Sequence, residues 1–488
     1  YLWINEGRLE IRAAAQVWGQ DTYQTQESIK KELGVTGTRV ACVGPAAEKG
    51  VLVAGIFCDH GRAAGRTGLG AVMASKNLKA IAVKGHGKIP LAEADNYNSL
   101  RSAANRALKN ENTTRVEHEL GTAGIADYAD YMGSMPKGYF HLGEIAEVGK
   151  VSGSTMTETI LAGTSACHGC VIACGRVVDL GEGKQKGPEY ETVVGFGPNL
   201  LICDLAVSTR LGDLCDRYGM DVITTSGTIG LAMFLFERGI ISEKDTGGLV
   251  LNWGNEEIIA KLIHMTARRE GFGELIAQGS RRFGKHFGAE DEAIQVNGLE
   301  LAYHDPRGVS GMALVYATSP RGACHNQSDY FLVDFGQSEE TIGVEFWDRH
   351  AGSEKAQSVA IHQNWRTVYN SLVMCTFANV PPQTQVDLIN AACGLNWTIA
   401  DMMKSGERGW TIKRAINNRL GLTRANDKLP KALLEPYKEG GAAGYVIPFA
   451  EMLEAYYEAR NWDKVSGKPS KEKLVELGLD DIASDLYP

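Results

Sequence analysis

The sequence predicts an α+β fold in which a β-rich N-terminal segment precedes two mainly helical domains. Its 488 residues exceed what one hydrophobic core usually organises, so two or three domains are expected. Short β-rich runs and a glycine-rich loop precede Pro90, whereas apolar residues recur at helical spacing after it. A second break falls at VNGLELAYHDPRG. We therefore expect a β-rich domain at 1–90 and helical domains at 91–296 and 297–488.

Individual segments support this order. The opening YLWINEGRLEIRAA alternates apolar and polar residues around a turn, which predicts a β-hairpin. Helical spacing is clear in DLAVSTRLGDLCDRYGM and in NEEIIAKLIHMTARREGFGELIAQG. The run GTIGLAMFLF at Gly227–Phe236 is too short for a membrane span and predicts a buried helix. The end of the chain, Asp463–Ala483, is typical of a polar surface tail.

Composition argues against several classes of protein. The net charge of −9 disfavours a nucleic-acid partner, because nucleic-acid-binding surfaces are basic. No apolar run reaches the ~20 residues of a membrane span, and no signal peptide is recognisable, although the chain begins at Tyr1 rather than Met. Ten cysteines in this length are too few for a disulfide-stapled secreted domain. We expect a cytoplasmic protein with mostly reduced thiols.

Three of the cysteines form a cluster in ACHGCVIACGR, where Cys167, Cys170 and Cys174 have CxxCxxxC spacing. A zinc site usually adds a second CxxC or a histidine pair, and neither lies nearby. Haem attachment requires CxxCH, but Val171 follows Cys170. A ferredoxin run has four close cysteines, and chance burial of three thiols in eight positions is improbable.

An iron–sulfur cluster held by three local thiolates and one distant thiolate fits this spacing best, because soft thiolate ligands suit a 4Fe–4S cluster. Spacing alone does not identify the fourth ligand. The candidates are the seven remaining cysteines: Cys42, Cys58, Cys203, Cys215, Cys324, Cys375 and Cys393.

Five long motifs occur in a characteristic order. They are GRAAGRTGLGAVMASKNLKAIAVKG at Gly61–Gly85, CHGCVIACGR, GPEYETVVGFGPNL at Gly187–Leu200, YATSPRGACH at Tyr316–His325 and NSLVMCTF at Asn370–Phe377. With these motifs the chain resembles the tungsten-dependent aldehyde:ferredoxin oxidoreductases over nearly its whole length.

The resemblance implies a β-rich first domain that seats a tungsten bis-molybdopterin cofactor, with two helical domains closing over it. Family members carry further residues before the position that matches Tyr1, so the first domain is expected to be truncated here. One 4Fe–4S cluster is implied, and Mg²⁺ bridging the pterin phosphates is compatible with the resemblance.

The resemblance also nominates the residues that bind these groups. The family's distant fourth cluster ligand ends a DxxGLC-like motif that matches NSLVMC, which nominates Cys375 beside Cys167, Cys170 and Cys174. The pterin contacts map onto Arg62, Ala63, Asp221 and Asn370. Asn370 replaces the usual Asp and can still hydrogen-bond a pterin amine. Without the resemblance, Asp221 would be read as a helix N-cap.

Two residues near the family's tungsten map onto Glu191 and His325. A carboxylate buried beside a metal and a histidine both suit general acid–base work. Glu191 is preferred to Glu189 within PEYE. His304 is expected either to line the pocket or to make a structural hydrogen bond, and Cys324 is expected to pack in the core.

The resemblance implies oxidation of small aldehydes to carboxylic acids, with electrons passing through the cluster to ferredoxin or an iron–sulfur electron-transfer subunit. Two alternatives stay open, a tungsten subunit of a benzoyl-CoA-reductase-like complex and a pterin-free iron–sulfur electron-transfer subunit. A homo-oligomer is compatible with either reading. An interface iron is not expected, because RLGDLCDRYG lacks the ExxH motif of some relatives.

Overall fold

The computed structural model describes residues 1–59 and 61–487 and has an α+β fold. Eleven strands occur in the described residues: β1 Leu2–Asn5, β2 Arg8–Ile11, β3 Arg39–Cys42, β4 Ile56–Cys58, β5 Arg62–Ala64, β6 Ala80–Lys84, β7 Leu161–Ser165, β8 Gly175–Asp179, β9 Lys184–Lys186, β10 Gln295–Val296 and β11 Leu299–Glu300. The predicted fold class is confirmed.

Helices make up most of the chain after residue 90, as predicted. The helices of the described residues are α1 Thr22–Leu33, α2 Pro45–Glu48, α3 Leu69–Ser75, α4 Ala94–Asn110, α5 Asn112–Leu120, α6 Ala126–Tyr131, α7 Gly153–Thr159, α8 Tyr190–Gly195, α9 Leu205–Tyr218, α10 Val222–Glu237, α11 Glu243–Thr246, α12 Glu256–Arg268, α13 Gly273–Ile276, α14 Ser280–His286, α15 Gly311–Thr318, α16 Phe331–Asp334, α17 Ala356–Leu372, α18 Pro382–Cys393, α19 Ile399–Arg419, α20 Phe449–Arg460, α21 Lys471–Glu476 and α22 Asp480–Leu486.

The N-terminal segment forms a six-stranded mixed sheet in the order β2–β1–β6–β3–β4–β5. The predicted hairpin is confirmed, since β1 pairs antiparallel with β2 in a register that places Leu2 opposite Ile11. Its turn residues Glu6 and Gly7 both have positive φ, which is the backbone that tight hairpins need. The glycine-rich motif leaves this sheet through β5 and enters α3, where a Cβ on Gly70 would lie 2.2 Å from the carbonyl oxygen of Gly55. Only glycine fits at that contact.

The predicted buried helix is confirmed as α10, whose residues are buried from Ile223 to Leu235. The largest apolar core joins this helix to α15 beyond residue 296, for example through Leu231 and Tyr316. The domain boundaries at 90 and 296 remain predictions. Within the described ranges no single helix has the length and apolar character to cross a bilayer, although the bent pair Tyr190–Leu200 and Leu205–Tyr218 passes that test on length and composition.

A three-stranded sheet, β7–β8–β9, interrupts the region predicted to be helical. The pairing Ser165↔Gly175 closes a loop that holds all three clustered cysteines. Residues in this sheet such as Lys184 and Gln185 carry little strand preference, so the sheet depends on its tertiary setting.

The reading of the C-terminal segment as a surface tail is wrong. Its last part forms α21 and α22, and Leu474, Leu477 and Leu486 are buried in a small core against Ala415 of α19. The apolar residues of this segment are widely spaced among charged ones, which hid the helices.

Candidate active site

The cysteine loop between β7 and β8 is held by one arginine. Arg176, the second residue of β8, donates hydrogen bonds to the carbonyl oxygens of Cys174 (3.1 Å) and Ala173 (2.8 Å). The same guanidinium reaches the carbonyls of His118 and Glu119 at the end of α5, at 2.9 and 3.0 Å. One side chain therefore fixes the loop to a neighbouring helix while the thiols stay partly or fully exposed.

Cys375 comes within electrostatic reach of this loop. It follows α17, whose C-cap residue Val373 has a left-handed φ of 56°. Desolvation by the surrounding protein raises the pKa of the Cys375 thiol, and the charges of Cys170 and Cys167 raise it further, although the residue is exposed.

Burial raises the pKa of the Cys58 thiol, at the end of β4. The charges of Asp59 and Cys167 raise this pKa further, so Cys58 is also within electrostatic reach of the cysteine loop. Among the residues described, no three His, Cys, Asp or Glu side chains converge closely enough for a single metal ion. A four-iron cluster spaces its thiolates over a larger cage than a single ion does.

Arg62 lies between the cysteine loop and Glu189. A Cβ on Gly175, next to Cys174, would lie 2.5 Å from Nη2 of Arg62. Nη1 of the same side chain is 3.5 Å from Oε1 of Glu189. Ala63, the next residue of β5, is exposed.

Asp221 caps a helix, as one reading of the sequence predicted, and also lies on a cavity wall. It is the N-cap of α10, where its Oδ2 accepts a hydrogen bond from the Thr224 amide at 3.0 Å. It also lines a cavity of about 480 Å³, the Asp221 cavity. Oδ2 lies 3.6 Å from Nε of the buried Arg66.

The Asp221 cavity contains acidic and basic groups that the sequence did not reveal. Glu300 is buried, and its Oε1 accepts a hydrogen bond from the Ser280 amide (2.7 Å), whereas its Oε2 has no hydrogen-bond partner in the described chain. Arg281, Arg282 and Arg321 line the same wall.

Asn370 is exposed and lines a second cavity of about 470 Å³, the Asn370 cavity. Arg321 lines both cavities, so the two nominated pterin contacts face spaces joined by one guanidinium. Arg321 also donates from Nη2 to Sγ of the buried Cys324 at 2.9 Å. The packing role expected for Cys324 is thus accompanied by a polar contact.

Glu191 and His325 meet at a third cavity. Glu191 lies in the first turn of α8, and its Oε2 accepts a hydrogen bond from the Tyr303 amide at 3.0 Å. Its Oε1 lies 3.9 Å from Nε2 of His325 and 3.5 Å from Nε2 of His304. The choice of Glu191 over Glu189 is consistent with this geometry, because Glu189 instead accepts a hydrogen bond from the Thr122 hydroxyl (2.8 Å).

His304 is the residue whose place the sequence left undecided. Its ring stacks on Phe331 with centroids 3.7 Å apart and on Tyr190 at 4.8 Å. It is 3% exposed, and its Nδ1 has no hydrogen-bond partner within the described ranges. His304 therefore lines the pocket and presents a fixed imidazole to Glu191.

Burial sets the protonation states of this group. It raises the pKa of Glu191 to about 7, opposed by the hydrogen bond from Tyr303 and by Arg66. It lowers the pKa of His304 to about 3, and it lowers the pKa of His325 well below the usual range, helped by His304 and Arg66. At neutral pH both imidazoles are uncharged, and Glu191 is poised to gain or lose a proton.

The cavity beside this group, the Glu191 cavity, has a volume of about 210 Å³. Its walls mix acidic side chains with the rings of Tyr190, Phe331 and Phe377. Phe377 lies two residues beyond Cys375, so the cavity and the cysteine region are adjacent along the chain. A small organic molecule held here would face carboxyl groups and two neutral imidazoles.

Comparison with known proteins places the chain among related enzymes. Residues 1–85 match the family model described as the aldehyde ferredoxin oxidoreductase N-terminal domain, and residues 99–479 match the model described as domains 2 and 3. The tungsten-containing aldehyde ferredoxin oxidoreductase of Pyrococcus furiosus is 37% identical over 98% of this chain and 80% of the relative. The enzyme of that name from Thermococcus kodakarensis is 36% identical over the same shares.

Two further likenesses are more distant. A WOR-like subunit of an aliphatic sulfonate oxidoreductase from Pyrococcus furiosus is 28% identical, over 98% of this chain and 78% of the relative. The solved active-site complex BamBC of benzoyl coenzyme A reductase matches with a TM-score of 0.83 over 99% of this chain and 80% of that chain, at 22% identity. That structure shows a shared fold. From the family models and the relatives above 30% identity, the chain belongs to the aldehyde ferredoxin oxidoreductase family of oxidoreductases.

Proposed function

We propose that this enzyme oxidises aldehydes to carboxylic acids at a bis-pterin tungsten centre and passes electrons through a 4Fe–4S cluster to ferredoxin or a partner electron-transfer subunit. The single observation that carries the proposal is the group formed by Glu191, His304 and His325. This group lines a small cavity. Three of its polar atoms, Glu191 Oε1, His304 Nδ1 and His325 Nδ1, have no hydrogen-bond partner in the described residues.

The reaction defines what these residues must do. An aldehyde and one water give a carboxylate, three protons and two electrons. When bound, the tungsten centre supplies the two-electron acceptor and the cluster passes the electrons on singly. The protein must bind and orient the aldehyde and carry protons out of a pocket with little water.

Glu191 and His325 are proposed as the proton-carrying residues. With a pKa of about 7, Glu191 can accept a proton at its Oε1 and lose it again near neutral pH. The unpaired Nδ1 of His325 can accept a hydrogen bond or a proton from a substrate or water. The backbone amide of Tyr303 holds the other oxygen of Glu191, which keeps the free oxygen pointed at the same place.

The residues proposed to hold the cofactor fit its chemistry. Pterin amines need acceptors, and Asp221, Glu300 and Asn370 supply carboxylate and amide oxygens on the two cavities that share Arg321. Phosphates need positive charge, which the three arginines of the Asp221 cavity supply. The buried Glu300 Oε2, without a partner in the described residues, is costly unless a donor reaches it.

The cluster is proposed to bind Cys167, Cys170, Cys174 and Cys375, since all are thiols in one electrostatic neighbourhood. Arg62 is proposed to contact the pterin, and its place between the cysteine loop and Glu189 supports a route between the two redox groups. Ala63 and the three-domain division are proposed on the family likeness alone.

The test uses anaerobically purified protein. Elemental analysis should find tungsten and iron, and an aldehyde panel with a viologen dye as acceptor should give turnover. Protein loaded with tungsten and cluster that oxidises no aldehyde would contradict the proposal. Reduction of benzoyl-CoA, or oxidation of an aliphatic sulfonate, by the same sample would assign it to the activity of the corresponding relative instead.

A further inference from the structure

The wall of the Glu191 cavity has an uneven charge distribution. Four carboxyl groups line it, those of Glu117, Glu189, Glu191 and Asp329. Among the described residues no lysine or arginine lines it. Molecules that enter meet acidic groups, neutral imidazoles and apolar rings.

Two of the four carboxylates are paired through partners outside the cavity wall. Asp329 binds the buried Arg366 through two hydrogen bonds of 2.5 and 3.0 Å. Glu189 has Arg62 at 3.5 Å. These guanidiniums already have carboxylate partners, so neither is available to neutralise a charge on a molecule inside.

Glu117, on α5, differs from these two. Its Oε2 is buried and has no hydrogen-bond partner in the described chain. Burial raises its pKa to about 7, and the charge of Glu189 adds to this. Either protonation state disfavours an anion nearby: the charged form repels it, and the neutral form gives it no counter-charge in a desolvated space.

The remaining wall is uncharged and the space is small. Ile125, Leu332 and three aromatic rings supply its apolar surface, and the other lining residues are the uncharged Thr122, Asn326 and Thr376. A volume of about 210 Å³ equals the liquid volume of about seven water molecules. A short alkyl chain fits this space better than a sugar phosphate.

We propose that the Glu191 cavity selects small uncharged aldehydes and rejects aldehydes that carry a carboxylate or phosphate, with Glu117 as the specificity-determining residue. This inference rests on the proposed function and names its substrate class. It also explains product release. Oxidation turns an uncharged substrate into an anion that the same wall disfavours, so the carboxylate leaves and inhibits weakly.

The experiment compares two aldehydes of four carbons, butyraldehyde and succinic semialdehyde. Burying an unpaired ion costs several kcal/mol, so kcat/KM should favour butyraldehyde by at least ~100-fold. A ratio within about threefold would overturn the proposal while leaving aldehyde oxidation in place.

Substitutions of Glu117 test whether this residue causes the preference for the uncharged aldehyde. Glu117→Lys should raise kcat/KM for succinic semialdehyde by at least ~10-fold without improving butyraldehyde, because it provides the missing counter-charge. Glu119→Lys is the matched control, since Glu119 lies on the same helix, is exposed and is not on the cavity wall. If Glu117→Lys does not fold, the isosteric Glu117→Gln should still narrow the ratio of the two kcat/KM values several-fold at pH above 7, because it removes the repulsion by the charged form of Glu117. An unchanged ratio in every folded Glu117 variant would contradict the role of Glu117.

Equilibrium dialysis of the holoenzyme with radiolabelled butyramide and butyrate gives a readout without turnover. Retention of butyramide at least ~10-fold above butyrate is expected, and equal retention would overturn the selection. Preferential retention of butyramide by an enzyme that oxidises no aldehyde would remove the proposed function and the aldehyde substrate class, and would leave only the selection by the cavity against anions.

Discussion

Oε1 of Glu191 lies 3.5 Å from Nε2 of His304 and 3.9 Å from Nε2 of His325. These three side chains come from α8, from the segment before α15 and from the loop after it, so the fold and not local sequence brings them together. Stacking of His304 between Tyr190 and Phe331 keeps one imidazole fixed. The carboxylate therefore has a defined position relative to whatever fills the cavity.

Glu191→Gln should slow turnover by about 10²–10⁴-fold, the usual contribution of a general acid or base. The amide keeps the shape and removes the titrating group, so metal and iron contents should stay unchanged. His325→Asn should slow turnover in the same way. The measurement is kcat with butyraldehyde and a viologen dye. Near-wild-type rates in both variants would reduce the two residues to pocket lining.

The pH dependence follows from the pKa of Glu191, which burial raises to about 7. If Glu191 acts as a base, the active form is the carboxylate, so kcat should rise with pH up to about 7 and then level off. Both imidazoles have lowered pKa values, so no second limb from histidine is expected between pH 6 and 7. In Glu191→Gln the rising limb should disappear. A limb that persists in the variant would assign it to another group.

The pH dependence of stability runs in the opposite direction to that of kcat. The raised pKa values of Glu191 and Glu117 mean that the folded state keeps these protons between about pH 4.5 and 7, where unfolded glutamates have lost them. Their contribution is therefore present at low pH and is lost as pH rises through 7. Each Gln variant should flatten this part of the melting temperature against pH.

The fourth cluster ligand can be tested with two cysteines. Cys375→Ser should lower the iron content and change the reduced-state EPR signal, because Cys375 is within electrostatic reach of Cys167 and Cys170. Cys58→Ser is the matched variant, since Cys58 is also within electrostatic reach of Cys167. It should keep the iron content and the EPR signal of the unsubstituted protein. The reverse result would make Cys58 the ligand.

The sequence predicted the elements with strong local signals. The hairpin at residues 2–11, the helices α9 and α12, and the buried α10 follow from alternation or helical spacing, which burial reinforces. The sheet β7–β9 was not predicted from the sequence, because its stability depends on neighbours that are distant in sequence. At the site, motifs nominated Glu191 and His325, whereas Glu117 and Glu300 lie in unremarkable segments. Only the folded chain shows that these carboxyls are buried and face cavities.

Two substitutions of Asp221 can distinguish its role as a helix cap from its proposed role in binding the pterin. Asn caps helices about as well as Asp, so Asp221→Asn should keep the cap of α10, remove the negative charge beside the buried Arg66, and lower the tungsten and pterin content. Asp221→Ala should lower that content and also destabilise the protein by about 1 kcal/mol. Asp204→Asn changes the N-cap of α9, which is off the cavity, and should change neither. Full tungsten content in Asp221→Asn would leave Asp221 as a cap only.

The C-terminal helices give a prediction that distinguishes a core element from a surface tail. Leu474 is completely buried between α21 and α19, whereas its neighbour Val475 is 50% exposed. Leu474→Ala should destabilise the protein by about 2–5 kcal/mol, because it removes buried methyl groups and leaves a cavity. Val475→Ala should stay within about 0.5 kcal/mol. Since a protein of this size and cofactor content does not unfold in two states, hydrogen exchange of the amides in α21 and α22 is the appropriate measurement. Fast exchange confined to Leu474→Ala would support the packed arrangement, and equal exchange in both variants would show that these helices do not depend on the small core around Ala415.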